Sequence, residues 1–455
     1  MFTMLEGQRR LTRNQKSLIA AGAFGLVLEF LDYFLIGFIL TFVSKPWGLT
    51  FGQSSVILLS SGVGAMIGAA WFGRMADRFG RRKIFMTTIT VFSLSMFALI
   101  FTPETPAVGW LYLSFFRFLI GFGAGGLYCV DLPLIQEFVP SRKRGLVTGL
   151  VTCAVPLGFL IGSAMVAFVA PAIGWRGLMA VCVGLSLGVL FMRRWVPESP
   201  RWLMHNGRVA EARASIAWAL EVPPASLPMT DAPPAQPAGK LKDLLQHPRA
   251  LLMSWTSNIG MQTGYYGLTL WAPSLLVLIL GVSPAQAAFY MIFITMAALA
   301  GRVSFSLLSE AIGRRAAGIL CTGGAAAVLL LAAFLAGSLQ GAFLGLIALM
   351  MLAFFFGEGG FAIVGPYSAE VWPTHLRATG MGAAYGFGGI GKIIGPMGLA
   401  VIVGASTSAS PASGQIPFEN AFIYFAAWYA LACLAYLLWG IETRGRTMEA
   451  IDAKA

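Results

Sequence analysis

Seven ionisable residues stand inside long apolar runs of this sequence: Glu29, Asp32, Arg117, Asp131, Arg302, Glu358 and Lys392. A charge at the centre of a span costs about 2.5–3.5 kcal/mol, so seven unpaired ones would cost on the order of 20 kcal/mol. They must face one another or water, and residues kept at such a cost are candidates for binding or moving charge. Glu29 and Asp32 are three apart in "GLVLEFLDYF" and share one helix face. Arg117 opens a stretch whose Gly121, Gly123, Gly125 and Gly126 let another helix approach closely. Lys392 lies among Gly386, Gly388, Gly389, Gly391 and Gly395, with Glu358 on the preceding helix as an alternative, structural partner. Burial and a nearby cation act in opposite senses on a carboxyl group's hold on its proton. A contact made in one state and broken in another would therefore bind and release a proton. Asp131 and Arg302 stay open between a functional and a structural role near a membrane interface.

The elements that must carry these charges are membrane helices. The chain has 455 residues, is 57% hydrophobic and only 11% charged, and has a mean hydropathy of +0.77. About 20 apolar residues cross a hydrocarbon core as a helix. Twelve such runs are expected, at 17–43, 53–73, 84–101, 109–135, 146–170, 177–192, 250–280, 287–309, 317–336, 341–369, 379–404 and 420–440. A net charge of +12 would suggest nucleic acid for a soluble protein, but the positions argue otherwise. With the N-terminus inside, only Lys45 and Arg176 fall in outer loops and three more cations lie within spans. That leaves 26 of the 31 Lys and Arg on one side, as the positive-inside rule requires. No nucleic-acid role is expected. The first run is too long for a signal peptide and is read as a retained helix. Cys129, Cys153, Cys182, Cys321 and Cys433 all sit in apolar runs, so no disulfide framework is expected. His205, His247 and His375 are too scattered for a metal site, and no cofactor is expected.

The six prolines of 221–240 exclude a helix and favour an extended segment. They divide the chain into an N-terminal six-helix bundle (1–200), a cytoplasmic linker (201–249, Pro-rich at 221–240), a C-terminal six-helix bundle (250–441) and a cytoplasmic tail (442–455). Each bundle carries a charged stretch after its second helix. Gly73, Asp77, Gly80, Arg81 and Arg82 recur as Ser306, Glu310, Gly313, Arg314 and Arg315, at an offset of 233. Basic loops alone would explain the arginines but not the acid and glycine at equal spacing. An internal repeat of six helices is a build of secondary transporters.

"GRMADRFGRR" (Gly73 to Arg82, with Arg78) resembles the signature loop of the major facilitator superfamily. "RFLIGFGAGG", "EFVPSRKRG", "PESPRWL", "AEVWPTHLRATGMG" and "ETRGRTMEAI" resemble further marks of its sugar-porter-like branch, along most of the chain. The resemblance implies an all-α polytopic membrane protein of twelve transmembrane helices in two six-helix bundles, not an enzyme. It implies a conformational latch at Gly73, Asp77, Arg78, Gly80, Arg81, Arg82, Glu310, Arg314 and Arg315, which holds the inner ends of the halves together and lets go. Asp32 facing Arg117 resembles the proton-coupling pair of sugar porters. Niacin-type and aromatic-acid carriers also place two acids in the first helix, usually both aspartates, so Glu29 is a mild departure.

The central cavity implied by the fold is lined from helices seven, ten and eleven by Asn258, Gln262, Tyr265, Tyr266, Trp271, Phe355, Glu358, Phe361 and Lys392. Rings beside a few amides suit a flat solute. Niacin and organic-ion carriers show the closest likeness in "YYGLTLWAPSLL" and "GFGGIGKIIGPMG". The expectation is a monomeric proton-coupled importer of a small organic anion, such as nicotinate or a benzoate. It would sit in a bacterial-type inner membrane with both termini cytoplasmic, its partners being substrate, proton and bilayer. Organic-cation transport, sugar or polyol symport and a non-transporting sensor stay open.

Overall fold

Three of the long helices begin by the same local device. The hydroxyls of Thr12, Thr50 and Ser283 accept from the backbone of Gln15, Gln53 and Gln286, whose side chains accept in turn from the cap residue's own N–H. Each such box satisfies two orphan donors. The apolar runs behind them continue as helices because lipid offers the backbone no other partner. The computed structural model describes residues 1–140, 143, 147, 151–228, 241–336, 343–373, 376–404 and 418–444. Residues 229–240 of the Pro-rich stretch, His375 and the tail from 445 lie outside the described residues.

The first half holds α1 (Arg13–Val43), α2 (Phe51–Phe79), α3 (Arg81–Leu99), α4 (Pro106–Glu137), α5 (Ala154–Ala164, running on through a π-turn at Met165–Val169) and α6 (Ala170–Arg193). The second holds α7 (Pro248–Leu280), α8 (Pro284–Ile312), α9 (Arg314–Phe334), α10 (Phe343–Glu370), α11 (Arg377–Gly388, resuming as Gly391–Val403) and α12 (Phe418–Leu438). Length and apolarity alone count 11 spans among the described residues, because Ala154–Arg193 reads as one 40-residue stretch. Gly174, at φ +67°, breaks that stretch, so it holds the fifth and sixth expected helices together.

The repeat seen in the sequence extends to packing. Gly68 of α2 lies against the backbone of Phe122 on α4, and Gly301 of α8 against that of Phe355 on α10. Both contacts are related by the 233-residue offset. Only a residue without a side chain lets two helices approach this closely. The turns repeat as well. Gly80 joins α2 to α3 and Gly313 joins α8 to α9, at φ +99° and +96°, a conformation glycine adopts at little cost.

The halves meet where α1 packs on α7, α2 on α11 and α5 on α8. The end where α1 starts is here called the near end. Toward the far end a Cβ on Gly37 would stand 2.6 Å from the carbonyl oxygen of Leu270. Phe51 packs on Trp271 at 5.4 Å between centroids, and Phe168 on Phe289 at 6.2 Å. The segment after α6 forms short helices at Pro200–His205 and Val209–Leu220. These dock on the near end of the first half, where Thr12 and Asn14 donate to the carbonyls of Ala219 and Trp218 at 2.6 and 2.7 Å.

Candidate functional site

The glycine face of α4 presses that helix onto α2 and sets Arg117 between α1 and α2. Its Nη1 reaches Asp32 Oδ2 at 2.6 Å and Nη2 reaches Ser61 Oγ at 3.3 Å, with Asp32 and Arg117 each about 1% exposed. Asp32 Oδ1 and Arg117 Nε have no partner of their own. Such a pair is only partly satisfied, and each orphaned polar atom costs free energy.

The second half holds a counterpart of reversed polarity. Here the acid is on the fourth helix of the half and the arginine on the second. Arg302 of α8 donates to Glu358 Oε2 at 2.7 Å, and the Tyr265 hydroxyl of α7 donates to Oε1. Glu358 is fully buried. Both its oxygens are engaged, by Arg302 and Tyr265 rather than by Lys392. Sequence reasoning left Arg302 undecided because nothing in the chain marks which helix faces it.

Lys392 follows a tightened turn in α11, where Lys392 and Ile393 donate to carbonyls only three residues back. Its Nζ lies 4.8 Å from the ring centroid of Tyr266 and 5.5 Å from that of Tyr33, an arrangement that attracts a cation. Gly62 of α2 admits the lysine stem, its Cβ position being 3.0 Å from that of Lys392. Tyr33 and Tyr266 meet edge to face at 5.4 Å, and Phe361 joins Tyr265 at 4.8 Å and Tyr266 at 6.0 Å. Tyr33 was not singled out in the sequence. Its position next to Asp32, one turn beyond Glu29, was the available signal.

The other expected cavity residues spread along the bundle. Gln262 reaches the Tyr385 carbonyl at 3.4 Å and leaves Oε1 buried without a partner. Asn258 donates to Ser254 and Ser368, each at 2.7 Å. Trp271 lies toward the far end, its indole N–H donating to Pro396 at 3.0 Å. Phe355 turns to α8, where it packs on Phe305 at 5.6 Å. The structure therefore gathers Lys392, Tyr265, Tyr266 and Phe361 with Tyr33, and sets Trp271 and Phe355 apart from them.

Glu29 points into the first bundle rather than toward these rings. It lines a small cavity with Gly25, Leu26, Phe85, Ile89, Asp131 and Val189. Asp131 forms a buried ion pair with Arg193 of α6, whose guanidinium also lies 4.5 Å from the Phe85 ring. Arg193 was read as a loop residue because it falls at the end of its apolar run.

At the near end the two signature stretches build matching clusters. Glu198 accepts from the backbone N–H of Arg81 and Arg82, at 2.8 and 3.0 Å, and Glu442 from those of Arg314 and Arg315, at 2.9 and 3.3 Å. Arg81 also pairs with Glu137, and Arg314 with Glu310 at 2.6 Å and Glu370 at 3.6 Å. Glu137 and Glu370 are again 233 apart. Asp77 is exposed; among the described residues its side chain makes no bond, and its backbone carbonyl accepts from the Trp202 indole at 2.8 Å. Among the described residues, the bonds made by these arginines stay within their own half.

Residues 18–455 match the profile of a family described as sugar (and other) transporter. The chain is 30% identical to the niacin transporter of Acinetobacter baylyi over 94% of each chain. It is 26% identical to the cis,cis-muconate transport protein of the same organism, over 82% of this chain and 83% of that one. Among solved structures, the inward-open xylose transporter of E. coli superposes with a TM-score of 0.76 at 18% identity, over 97% of this chain and 99% of that one. That likeness extends the fold to the whole chain.

Proposed function

The chain belongs to the sugar (and other) transporter family of multi-pass membrane carriers, and from that premise we propose that it is a proton-coupled symporter importing a small aromatic monocarboxylate, such as nicotinate or a benzoate. The observation that carries this reading is the Lys392 ammonium held among Tyr33, Tyr266 and the neighbouring rings. A carboxylate meets the ammonium there while its ring lies against the tyrosines. Relatives named for niacin and for muconate transport support an organic acid over a sugar. Glu358, the acid that would serve an organic cation, is already bound by Arg302 and Tyr265. Asp32, Arg117 and Glu29 form the coupling set. A proton entering across 100 mV supplies about 2.3 kcal/mol.

The near end, rich in basic residues, faces the cytoplasm of a bacterial inner membrane, and the protein works as a monomer. The halves rock about α1, α7, α2 and α11 to expose the site to either side. Uptake into proteoliposomes from a panel of aromatic acids, amines and sugars tests the reading. An inward proton gradient should drive accumulation of an acid and leave amines and sugars outside. Gradient-driven accumulation of an amine or sugar alone would replace it.

A further inference from the structure

Asp131 of α4 and Arg193 of α6 form a buried ion pair, 3% and 2% exposed, that the coupling set does not use. The pair is lopsided. Arg193 spends Nη2 on Asp131 Oδ1, while its Nε and Nη1 are buried without a partner among the described residues. A guanidinium commonly holds a carboxylate with two parallel donors, so one edge of this one is unused. The pair lies against α1, where a Cβ on Gly22 would stand 3.0 Å from Arg193 Nη2 and 3.2 Å from Asp131 Oδ2. Glu29 is seven residues further along α1, about 10 Å by helical rise. Side chains on a helix tilt toward its N-terminus, here the near end, so Glu29 leans toward the pair and Asp32 toward Glu29. Glu29 and Asp131 line one cavity, with room for about one water. Phe85 lines it too, and carries the Arg193 guanidinium over its ring at 4.5 Å. Asp32, Glu29 and Asp131 thus descend inside the first half, the last of them six residues from the near end of α4.

We infer that Glu29 and Asp131 carry the coupled proton from Asp32 to the near end, through the first bundle, with Arg193 as the counter-ion they share. The inference rests on the proton coupling proposed above. With Arg193 on Asp131, Glu29 holds the proton. Transfer breaks an O–H bond on Glu29 and forms one on Asp131, through a water that takes one proton as it gives another. Arg193 then turns its unused Nε and Nη1 edge to the Glu29 carboxylate. Asp131 releases its proton to water at the near end and recovers the arginine, and Glu29 is ready for the next proton. At each stage the arginine faces one carboxylate, which avoids leaving a buried ion without its partner. Among the described residues, the charged groups around Glu29 are Asp32 of α1, Asp131 of α4 with Arg193 of α6, and Lys392 of α11 from outside the cavity. The side chains of α3 and α6 that line the cavity, Phe85, Ile89 and Val189, are apolar. Substrate leaves between the halves and the proton leaves inside one of them, so the two exits are separate.

Infrared spectra of the full-length protein in detergent test the shared arginine, because a protonated carboxyl has a C=O stretch that a carboxylate lacks. The difference between wild type and Glu29→Gln should show that band near neutral pH. Asp131→Asn should lose the same band, since Arg193 turns to Glu29 and ionises it. Combining Asp131→Asn with Arg193→Gln should restore it. A Glu29 band that survives Asp131→Asn, or that wild type does not show, overturns the inference. Transport tests the path. In proteoliposomes, with nicotinate and benzoate as probes, the ratio of gradient-driven accumulation to exchange should fall by about tenfold or more in both Asp131 variants, as for the loss of a positioned proton carrier. A ratio at the wild-type level overturns the inference and leaves proton coupling standing. Should wild type show no gradient-driven accumulation, proton coupling falls and takes the inference with it. If Asp131→Asn is not recovered as a monodisperse protein, the double variant carries the transport measurement and Arg193→Gln the spectrum. Arg193→Gln must then add a second carboxyl band, from Asp131, and an unchanged spectrum overturns the inference.

Discussion

Asp32 and Arg117 hold each other at 2.6 Å, yet each keeps one polar atom without a partner. A contact so made is strong enough to position both side chains and incomplete enough to be exchanged. Asp32→Asn keeps an acceptor for Arg117 but removes the charge. We expect gradient-driven accumulation in proteoliposomes to be lost while exchange of labelled for unlabelled substrate continues. Full accumulation by this variant would take Asp32 out of the coupling. Lys392→Gln tests the other site. It should weaken binding of nicotinate far more than of nicotinamide, by about 1.5–3 kcal/mol for a lost charged hydrogen bond. Equal losses for acid and amide would move the anion elsewhere. At this scale the sequence exposed which residues are costly but not which of them touch. Asp32, Arg117, Glu358 and Lys392 all stand out as charges in apolar runs. That Glu358 chooses Arg302 over Lys392 depends on helix rotation, and no short-range pattern encodes that. Arg193 escaped because a charge at the end of an apolar run looks like a loop residue.

The helices and their order follow from apolar length, and the repeat followed from one spaced motif. What the motif did not reveal is how deep the repeat runs. Gly68 with Phe122, and Gly301 with Phe355, are ordinary residues in sequence, and only the backbone contact shows their equivalence. Glu137 and Glu370 lie in the marks "EFVPSRKRG" and "AEVWPTHLRATGMG", and what the structure adds is that both brace the signature's arginines. Gly80 is the element-level hinge of this design. It has φ +99°, and a Cβ there would collide with the Glu198 carboxylate that caps α3 through the N–H groups of Arg81 and Arg82. Gly80→Ala should destabilise the folded protein by about 1–3 kcal/mol from backbone strain, with the displaced cap adding to it. Thermal unfolding in detergent reads the loss. Gly73→Ala is the control, since it lies within α2 with open space around it, so a substitution there should hold or slightly raise the melting point.

For the whole molecule the question is which end is open. Gly37 against Leu270, Phe51 on Trp271 and Phe168 on Phe289 join the halves toward the far end. Among the described residues at the near end, Asp77 makes no side-chain bond and the arginine clusters keep to their own halves. On the latch reading, the signature loops therefore stand released in this arrangement. This gives the loss of Asp77 a direction. With no side-chain bond from Asp77 among the described residues, Asp77→Asn is expected to act on the alternative state in which the near ends close. An exposed ion pair is worth about 0–1 kcal/mol, so removing it should shift the balance toward the present state by up to about fivefold. Single cysteines placed at the near and far ends of α1 and α7, in a background freed of native cysteines, read that balance by labelling from each side. Near-end labelling should rise and far-end labelling should fall, with the fold unchanged. A rise at the far end would mean that Asp77 stabilises the present state after all. Unchanged labelling with unchanged transport would reduce Asp77 to a charge that keeps a crowded basic loop soluble.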